Sequence, residues 1–333
     1  MIRFGVIGQG HIGKRHAEMI RRNLFTELVA VCDILPKEEV GLSDISEKYY
    51  RSADDMLAHE RMDVVCVCVP NGLHAEMALK ALEKECHVVL EKPMALTRTD
   101  AEQVISKSRD IGRKVFCVMQ NRYSPPSVWL KEVVDSGRLG EIYMVQLNCL
   151  WNRDARYYHP GGWHGTADLD GGTLFTQFSH FIDIMYWLFG DITHIHARLR
   201  DFNHKELTAF EDSGCVTFDF LQGGCGCLNY STAVWDCNLE SSMTIVAEKG
   251  SIKVAGQYMN EVVYCHIKDY EMPVLAPSNP PNDYGPYKGS AQNHHYVIQN
   301  VVDVLTGQAS ITTNAQEGLK VVDIIERIYT AAQ

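Results

Sequence analysis

Three glycines, Gly8, Gly10 and Gly13, stand at G-x-G-x-x-G spacing in the run IRFGVIGQGHIG. Each removes a side chain for a different reason: Gly8 permits a tight turn, Gly10 lets backbone approach a bulky anion, and Gly13 lets the next helix pack close to the preceding strand. A helix opening at His11 and Ile12 offers free N–H groups and a positive dipole end, so this turn can hold a phosphate or pyrophosphate. Twenty residues after Gly13 the apolar run LVAVCD ends on Asp33. A carboxylate there accepts hydrogen bonds from the ribose hydroxyls of an adenosine and repels a 2′-phosphate, which points to NAD over NADP. Preceding strand, following helix, second strand and distant acid meet the four context requirements of a dinucleotide fingerprint together.

A second set of residues closes the strand HVVLEKP with Glu91, Lys92 and Pro93. A lysine there can hold or deprotonate a substrate hydroxyl when its surroundings favour the neutral amine. Pro93 restricts the backbone of Lys92 to an extended form. A third set lies in DLDGGTLFTQFSHFIDIMYWLFGD, where Thr176, His180, Asp183 and Trp187 fall at i, i+4, i+7 and i+11 and so share one helical face. Taken alone, His180 fits equally a satisfied core histidine and an acid–base group.

The elements that must position these residues alternate strand and helix over residues 1–122, which predicts a Rossmann-type doubly wound parallel sheet. MDVVCVCVP is a buried central strand followed by Pro70-Asn71-Gly72-Leu73-His74; KVFCVMQNR is a last strand ending in Gln120, Asn121 and Arg122. Ligands bind outside the carboxyl ends of such strands, which places Pro70, Asn71, His74, Glu91, Lys92 and Gln120 among the candidate cofactor residues. Residues 124–137 form a linking helix. Beyond it, seven segments (141–152, 193–202, 212–222, 225–236, 241–247, 251–256 and 261–267) read as strands of a large open, mostly antiparallel sheet. Helices are expected at about 174–189, 290–305 and 315–331, with a proline- and glycine-rich loop at 272–289. The division is therefore an α/β chain with an NAD-binding domain at 1–122 and an α+β domain for substrate binding and oligomerisation at 123–333, the C-terminal helices packing back on the first domain.

A net charge of −11 argues against broad nucleic-acid or anionic-membrane binding, which need basic patches. No apolar run approaches about 18 residues, and the first strand starts at Ile2, so a cytoplasmic chain is expected. Its 11 cysteines then read as reduced thiols. The C-x-C pairs Cys66/Cys68 and Cys225/Cys227 lie in apolar runs without a second pair at ligand spacing, so buried structural cysteines and no metal site are expected. His294 and His295 are adjacent, face different directions on a helix and make no metal site by themselves.

GQGHIG, PNGLH, EKP, QNRYSPP and GGTLFTQFSHFID, in this order and spacing, resemble the glucose–fructose oxidoreductase/inositol dehydrogenase (Gfo/Idh/MocA) family across the chain. The resemblance implies a pyridine-nucleotide enzyme acting on a sugar-like carbinol, with Lys92 and His180 as catalytic pair and the open sheet as subunit interface in a dimer or tetramer. The family helix usually has aspartate four residues before the histidine, where this chain has the non-ionisable Thr176. A narrower resemblance, carried by WNRDARYYHPGGWHGTADLDGG with QNRY and GSAQNHHYVIQNVVDVL, is to the UDP-N-acetylglucosamine or UDP-N-acetylglucosaminuronate 3-dehydrogenases of bacteria. It implies a nucleotide-sugar substrate met by Asn121, Arg122, Arg153, Tyr157, Trp163, Thr176 and Gln177. Arginine and tyrosine in this stretch suit a diphosphate, a carboxylate or a uracil ring. Two further expectations stay open: dehydrogenation of a free sugar or cyclitol, and a non-catalytic NAD-binding sensor that would need neither Lys92 nor His180.

Overall fold

The computed structural model describes residues 1–332, which fall into two compact units: 1–119 with 294–322, and 120–293 with 323–332. In the first unit, β-branched runs make β1 (Ile2–Ile7), β2 (Thr26–Cys32), β3 (Lys48–Tyr50), β4 (Val64–Val67), β5 (His87–Leu90) and β6 (Val115–Cys117). All pair in parallel in the order β3-β2-β1-β4-β5-β6. Every residue of β4 is buried, as a central parallel strand requires.

The helices of this unit are α1 (His11–Arg22), α2 (Ala53–His59), α3 (His74–Glu83) and α4 (Arg98–Asp110). Of the two threonines that precede α4, Thr97 is the cap, accepting the Asp100 N–H. The short β3 and α2 lack a long apolar period and were not expected. The expected last strand is shorter than its sequence suggests: after β6, Gln120–Tyr123 coil into a 3₁₀ turn.

In the second unit α5 (Pro125–Asp135) has proline at its first positions, where a missing N–H costs nothing. The seven expected strands all form: β7 (Ile142–Leu150), β8 (Ile192–Arg200), β9 (Ser213–Phe220), β10 (Cys225–Ser231), β11 (Glu240–Ala247), β12 (Gly250–Ala255) and β13 (Glu261–Ile267). They pair in the order β13-β12-β11-β7-β10-β9-β8, with only β7–β10 parallel. One face is covered by α6 (Ser179–Phe189): Phe178, just before it, meets Trp151 and Tyr230 at ring distances of 5.4 and 5.8 Å, and Phe189 meets Phe220 at 5.5 Å.

Three expectations need correction here. The expected long loop contains a two-stranded ladder, β14 (Pro281–Asp283) with β15 (Lys288–Ala291), so the next helix, α7 (His294–Leu305), starts four residues later than expected. The last helix, α8 (Ala315–Thr330), runs through the division between the units at Val322 and Asp323. The second C-x-C pair is not buried: Cys225 is exposed and Cys227 half-buried, because they sit on the open face of β10 while Leu228 and Tyr230 point inward.

One buried carboxyl braces the second unit. Glu211 Oε1 accepts the hydroxyls of Tyr230 and Tyr329, each at 2.8 Å. The Tyr329 oxygen in turn accepts the Leu174 N–H at 3.1 Å. Burial pushes the Glu211 pKa up to about 7, against the pull of the two phenols. A carboxyl whose pKa is higher folded than unfolded loses stabilisation as pH rises from its unfolded value to its folded one. Wild-type stability should therefore fall between about pH 4.5 and 7 through this group and then level, by roughly 3 kcal/mol at most. Glu211→Gln keeps the acceptor and removes the titration; denaturant melts across this range should show the slope reduced by that amount in the variant, and identical slopes would refute the assignment.

Candidate active site

The glycine turn follows from backbone sterics. Gly8 has φ +90°, and a Cβ there would overlap the Cys68 carbonyl; a Cβ on Gly13 would overlap the Gly8 carbonyl oxygen. Gly10 differs: nothing lies within 4 Å of where its Cβ would be, and the residue is exposed. It caps α1 without a side-chain hydrogen bond, and no acidic residue occupies the first turn at His11, Ile12 and Gly13. The helix thus brings its first-turn N–H groups and a positive dipole end, with no acidic residue in that turn, to the open space at Gly10.

Asp33 ends β2 beside this turn. Its Oδ2 accepts the Gln9 N–H at 2.7 Å and its Oδ1 accepts the Leu35 N–H at 3.0 Å. A carboxylate has about four acceptor positions, so ribose hydroxyls can still bond to it. Gln9, whose side chain is buried, was not singled out by the spacing argument although its backbone fixes the acid. The donor set, the open Gly10 and the placed carboxylate fit a dinucleotide.

Further along the strand ends of this unit, Pro70 precedes a 3₁₀ turn, Asn71–Leu73. His74, expected near the cofactor, is 1% exposed and is bonded to backbone instead. Its Nδ1 lies 2.6 Å from the Pro93 carbonyl and its Nε2 2.9 Å from the Val69 carbonyl. Burial pushes its pKa down. Glu91 is likewise turned inward, 2.8 Å from His16 Nε2.

In the second unit the substrate-side residues gather around α6. The chain from Leu174 to Phe178 is a π-helix, and α6 begins only at Ser179. Thr176 therefore lies in the π-helical turn that leads directly into the α6 residues His180, Asp183 and Trp187. Thr176 donates its hydroxyl to the carboxylate of Asp170, which also accepts the Gly165 N–H at 2.7 Å. His180 is 2% exposed, within the helix layer.

Arg122, expected to meet substrate, pairs internally: Nε and Nη2 reach the two oxygens of Asp183 at 2.8 and 2.6 Å, with the guanidinium 5.1 Å from the Trp187 ring centroid. Both side chains are essentially inaccessible. Arg153 is also buried, yet it donates to neutral groups: Gln177 Oε1 at 2.8 Å, Asn238 Oδ1 at 3.2 Å and the Asn152 and Lys288 carbonyls. The faces of Trp151, Tyr157 and Tyr287 lie 4.8–5.3 Å from its carbon. Gln177 completes the bridge by donating to the Tyr157 hydroxyl at 2.9 Å. Tyr157 stacks on His164 and His164 on Trp163, at 4.3 and 3.8 Å, and Trp163 is half-exposed. Asn121 is buried and accepts the Ala291 N–H at 3.3 Å; the backbone carbonyl of buried Gln120 accepts from Asn293 at 3.1 Å.

Two groups of histidine and carboxylate lie close enough to share an ion: His16, Glu91 and His294, and Asp201, His204 and Asp212. In the second, His204 spends Nδ1 on Asp212 at 3.0 Å and Nε2 on the Arg153 carbonyl, leaving no lone pair for a metal. This is a charge pair that holds the Arg153 backbone.

A doubly wound sheet with an uncapped helix N-terminus at a glycine turn and a strand-end acid defines a dinucleotide-binding fold. Residues 2–118 match the oxidoreductase family with NAD-binding Rossmann fold, and residues 128–253 match the GFO/IDH/MocA C-terminal domain. The fold is similar to that of the WlbA dehydrogenase from Bordetella pertussis, whose crystal structure contains NADH and UDP-GlcNAcA. That similarity has 30% identity and a TM-score of 0.87, covering 99% of this chain and 96% of that one. An inositol 2-dehydrogenase of Rubrobacter xylanophilus is 27% identical over 76% of this chain and 71% of its own. A D-glucoside 3-dehydrogenase of Escherichia coli is 33% identical over 57% of this chain and 54% of its own. The chain belongs to the Gfo/Idh/MocA family, as an NAD-dependent dehydrogenase acting on CH–OH groups. No helix among the described residues is long and apolar enough to cross a membrane.

The cofactor end yields a paired expectation. Gly10→Ala should fold normally, since its Cβ meets no protein atom, but weaken NAD at least about tenfold by intruding on the phosphates. Asp33→Ser should narrow a wild-type preference for NAD over NADP that is itself at least about tenfold. Calorimetric titration with both nucleotides checks each; equal wild-type affinities would refute the role of Asp33.

Proposed function

We propose that this chain oxidises the 3-hydroxyl of a UDP-linked acetamido sugar or its uronate. The observation that carries the reading is the full-length similarity to a dehydrogenase crystallised with NADH and UDP-GlcNAcA. The half-exposed ring of Trp163 supports it, since a uracil ring needs a stacking face. The inositol and glucoside dehydrogenases among the relatives support the alternative of a free cyclitol or sugar.

In this reading Gly8, Gly10 and the start of α1 hold the pyrophosphate, and Asp33 holds the adenosine ribose. Bound NAD supplies the hydride acceptor. Lys92 orients and polarises the substrate hydroxyl, and His180 shares the handling of its proton. Thr176 cannot ionise, so any carboxylate influence from this helix start must come from Asp170 behind it. Half-exposed Trp163 offers a ring face to the nucleotide.

The test is NADH formation with UDP-GlcNAc, UDP-GlcNAcA, inositol and glucose in parallel; turnover confined to the free polyols would replace the nucleotide-sugar reading. With the accepted substrate, Lys92→Ala should lower kcat by about two to four orders of magnitude while NAD affinity stays near wild type. His180→Asn should fall less far if Lys92 is the more important partner, and should abolish the acidic limb of the pH–rate profile if His180 is the base. Near-normal turnover of Lys92→Ala would overturn the mechanism and favour an NAD sensor.

A homo-oligomer belongs to the same reading. Met144 and Tyr264 lie on the open face of the large sheet and are 43% and 55% exposed, apolar surface that a second copy would cover. Light scattering at micromolar concentration should report a dimer or tetramer; a monomer would count against it.

A further inference from the structure

Glu91 is the most deeply buried carboxylate near the strand ends of the first unit, and it has neighbours that the cofactor reading does not use. Its Oε1 accepts from His16 Nε2 at 2.8 Å, and His294 Nε2 lies 3.5 Å from the same oxygen. The two imidazoles meet edge to face at 5.3 Å. The other oxygen, Oε2, accepts the backbone N–H of Lys92 at 3.2 Å. His16 comes from the inward face of α1 and His294 from the first residue of α7, so two helices converge on one carboxylate. Neither Nδ1 makes a hydrogen bond. Burial opposes the carboxylate charge, yet the two histidines hold Glu91 well below the usual carboxylate range. On the other side of the lysine, the Pro93 carbonyl is gripped by His74. Lys92 is therefore bracketed by two anchored neighbours.

We propose that Glu91 is a positioning residue for Lys92, held by His16 with His294 packed beside it, and not a ligand of the cofactor. The inference rests on Lys92 as the acid–base residue proposed above. The physical argument is one of reach. A lysine side chain has four rotatable carbons, so its amine is placed only as well as its backbone. A bond from Oε2 to the Lys92 N–H, on a carboxylate that cannot rotate because Oε1 is held by His16, removes one torsional freedom at the root. A misplacement of about 1 Å at a reacting group costs on the order of a hundredfold in rate.

The hydrogen-bond chemistry also says which substitution should be tolerated. Glutamine at 91 can keep its oxygen on the Lys92 N–H and turn its amide N–H toward His16 Nε2. His16 accepts this by moving its proton to Nδ1, where no bond is lost. Alanine at 91 loses both bonds.

The experiment compares Glu91→Ala, Glu91→Gln and Lys92→Ala, using whichever of the four substrates above the wild type oxidises and calorimetric titration with NAD. Glu91→Ala should lower kcat about ten- to a hundredfold with the NAD Kd within about threefold of wild type, and Glu91→Gln should recover to within about fivefold. If Glu91→Ala does not fold, His16→Leu against His16→Gln makes the same comparison, since glutamine places a donor where Nε2 was. Wild-type kcat in Glu91→Ala with an inactive Lys92→Ala overturns the positioning role and leaves the lysine assignment standing. A loss confined to NAD affinity also overturns it and makes Glu91 a cofactor ligand. An active Lys92→Ala removes the reading beneath both.

Discussion

The close approach of α1 to β1 is the constraint on which the first unit depends. It exists because Gly13 has no Cβ to strike the Gly8 carbonyl, and because Gly8 alone can hold φ +90° against Cys68. Once the helix is that near, its first turn is aimed over Gly10, and its inward face carries Gly13, His16, Ala17 and Ile20 at successive helical positions. The same geometry thus fixes two distant things: the bare N-terminus and the reach of His16 to Glu91. Gln9, between the glycines, donates to Asp33 and ties the acid of β2 to the turn after β1.

The second unit solves a different problem, that of keeping charges inside an aromatic layer. Arg122 and Asp183 neutralise each other by a bidentate pair on which the geometry leaves little freedom. Removing either member of such a pair costs about 3–5 kcal/mol, because the other charge is left buried. For Arg153 burial lowers the pKa, and its guanidinium is accommodated by carbonyls, amides and ring faces. Its backbone is held separately by His204, whose two ring nitrogens both face acceptors, so that the ring is held as a cation against Asp212. Asp212 is buried too, but His204, Ser213 and two backbone N–H groups pull its pKa down to about 2. These arrangements explain why arginines that look like anion receptors in sequence are largely occupied by the protein itself.

Periodicity carried most of the fold. The seven strands of the large sheet were legible because each alternates or runs apolar for five or more residues, and the glycine turn because its sterics leave few substitutes. What escaped was short or non-local. The ladder of Pro281–Asp283 with Lys288–Ala291 is too brief to show a period, and prolines there read as loop. The π-turn at Leu174–Phe178 cannot be seen in a pattern that assumes 3.6 residues per turn. Site residues were legible by type but not by direction. Glu91, His74 and Arg122 sit where polar residues collect at strand ends, yet each turns inward, toward His16, Pro93 and Asp183, which are 75, 19 and 61 positions away. Tertiary partners at such separations leave no local signal.

The threonine at 176 shows how chemistry can survive such a change of residue. A helical aspartate would present charge directly from the turn before His180. Here the charge stays in the preceding loop, on Asp170, and the Thr176 hydroxyl spends its only hydrogen on that carboxylate. Donation to an anion makes the Thr176 oxygen a stronger acceptor than an ordinary hydroxyl. The position has therefore kept its acceptor character while losing its ability to take up a proton. The ionised group of this stretch is therefore Asp170, one loop back, and the helix carries its influence only through the Thr176 hydroxyl.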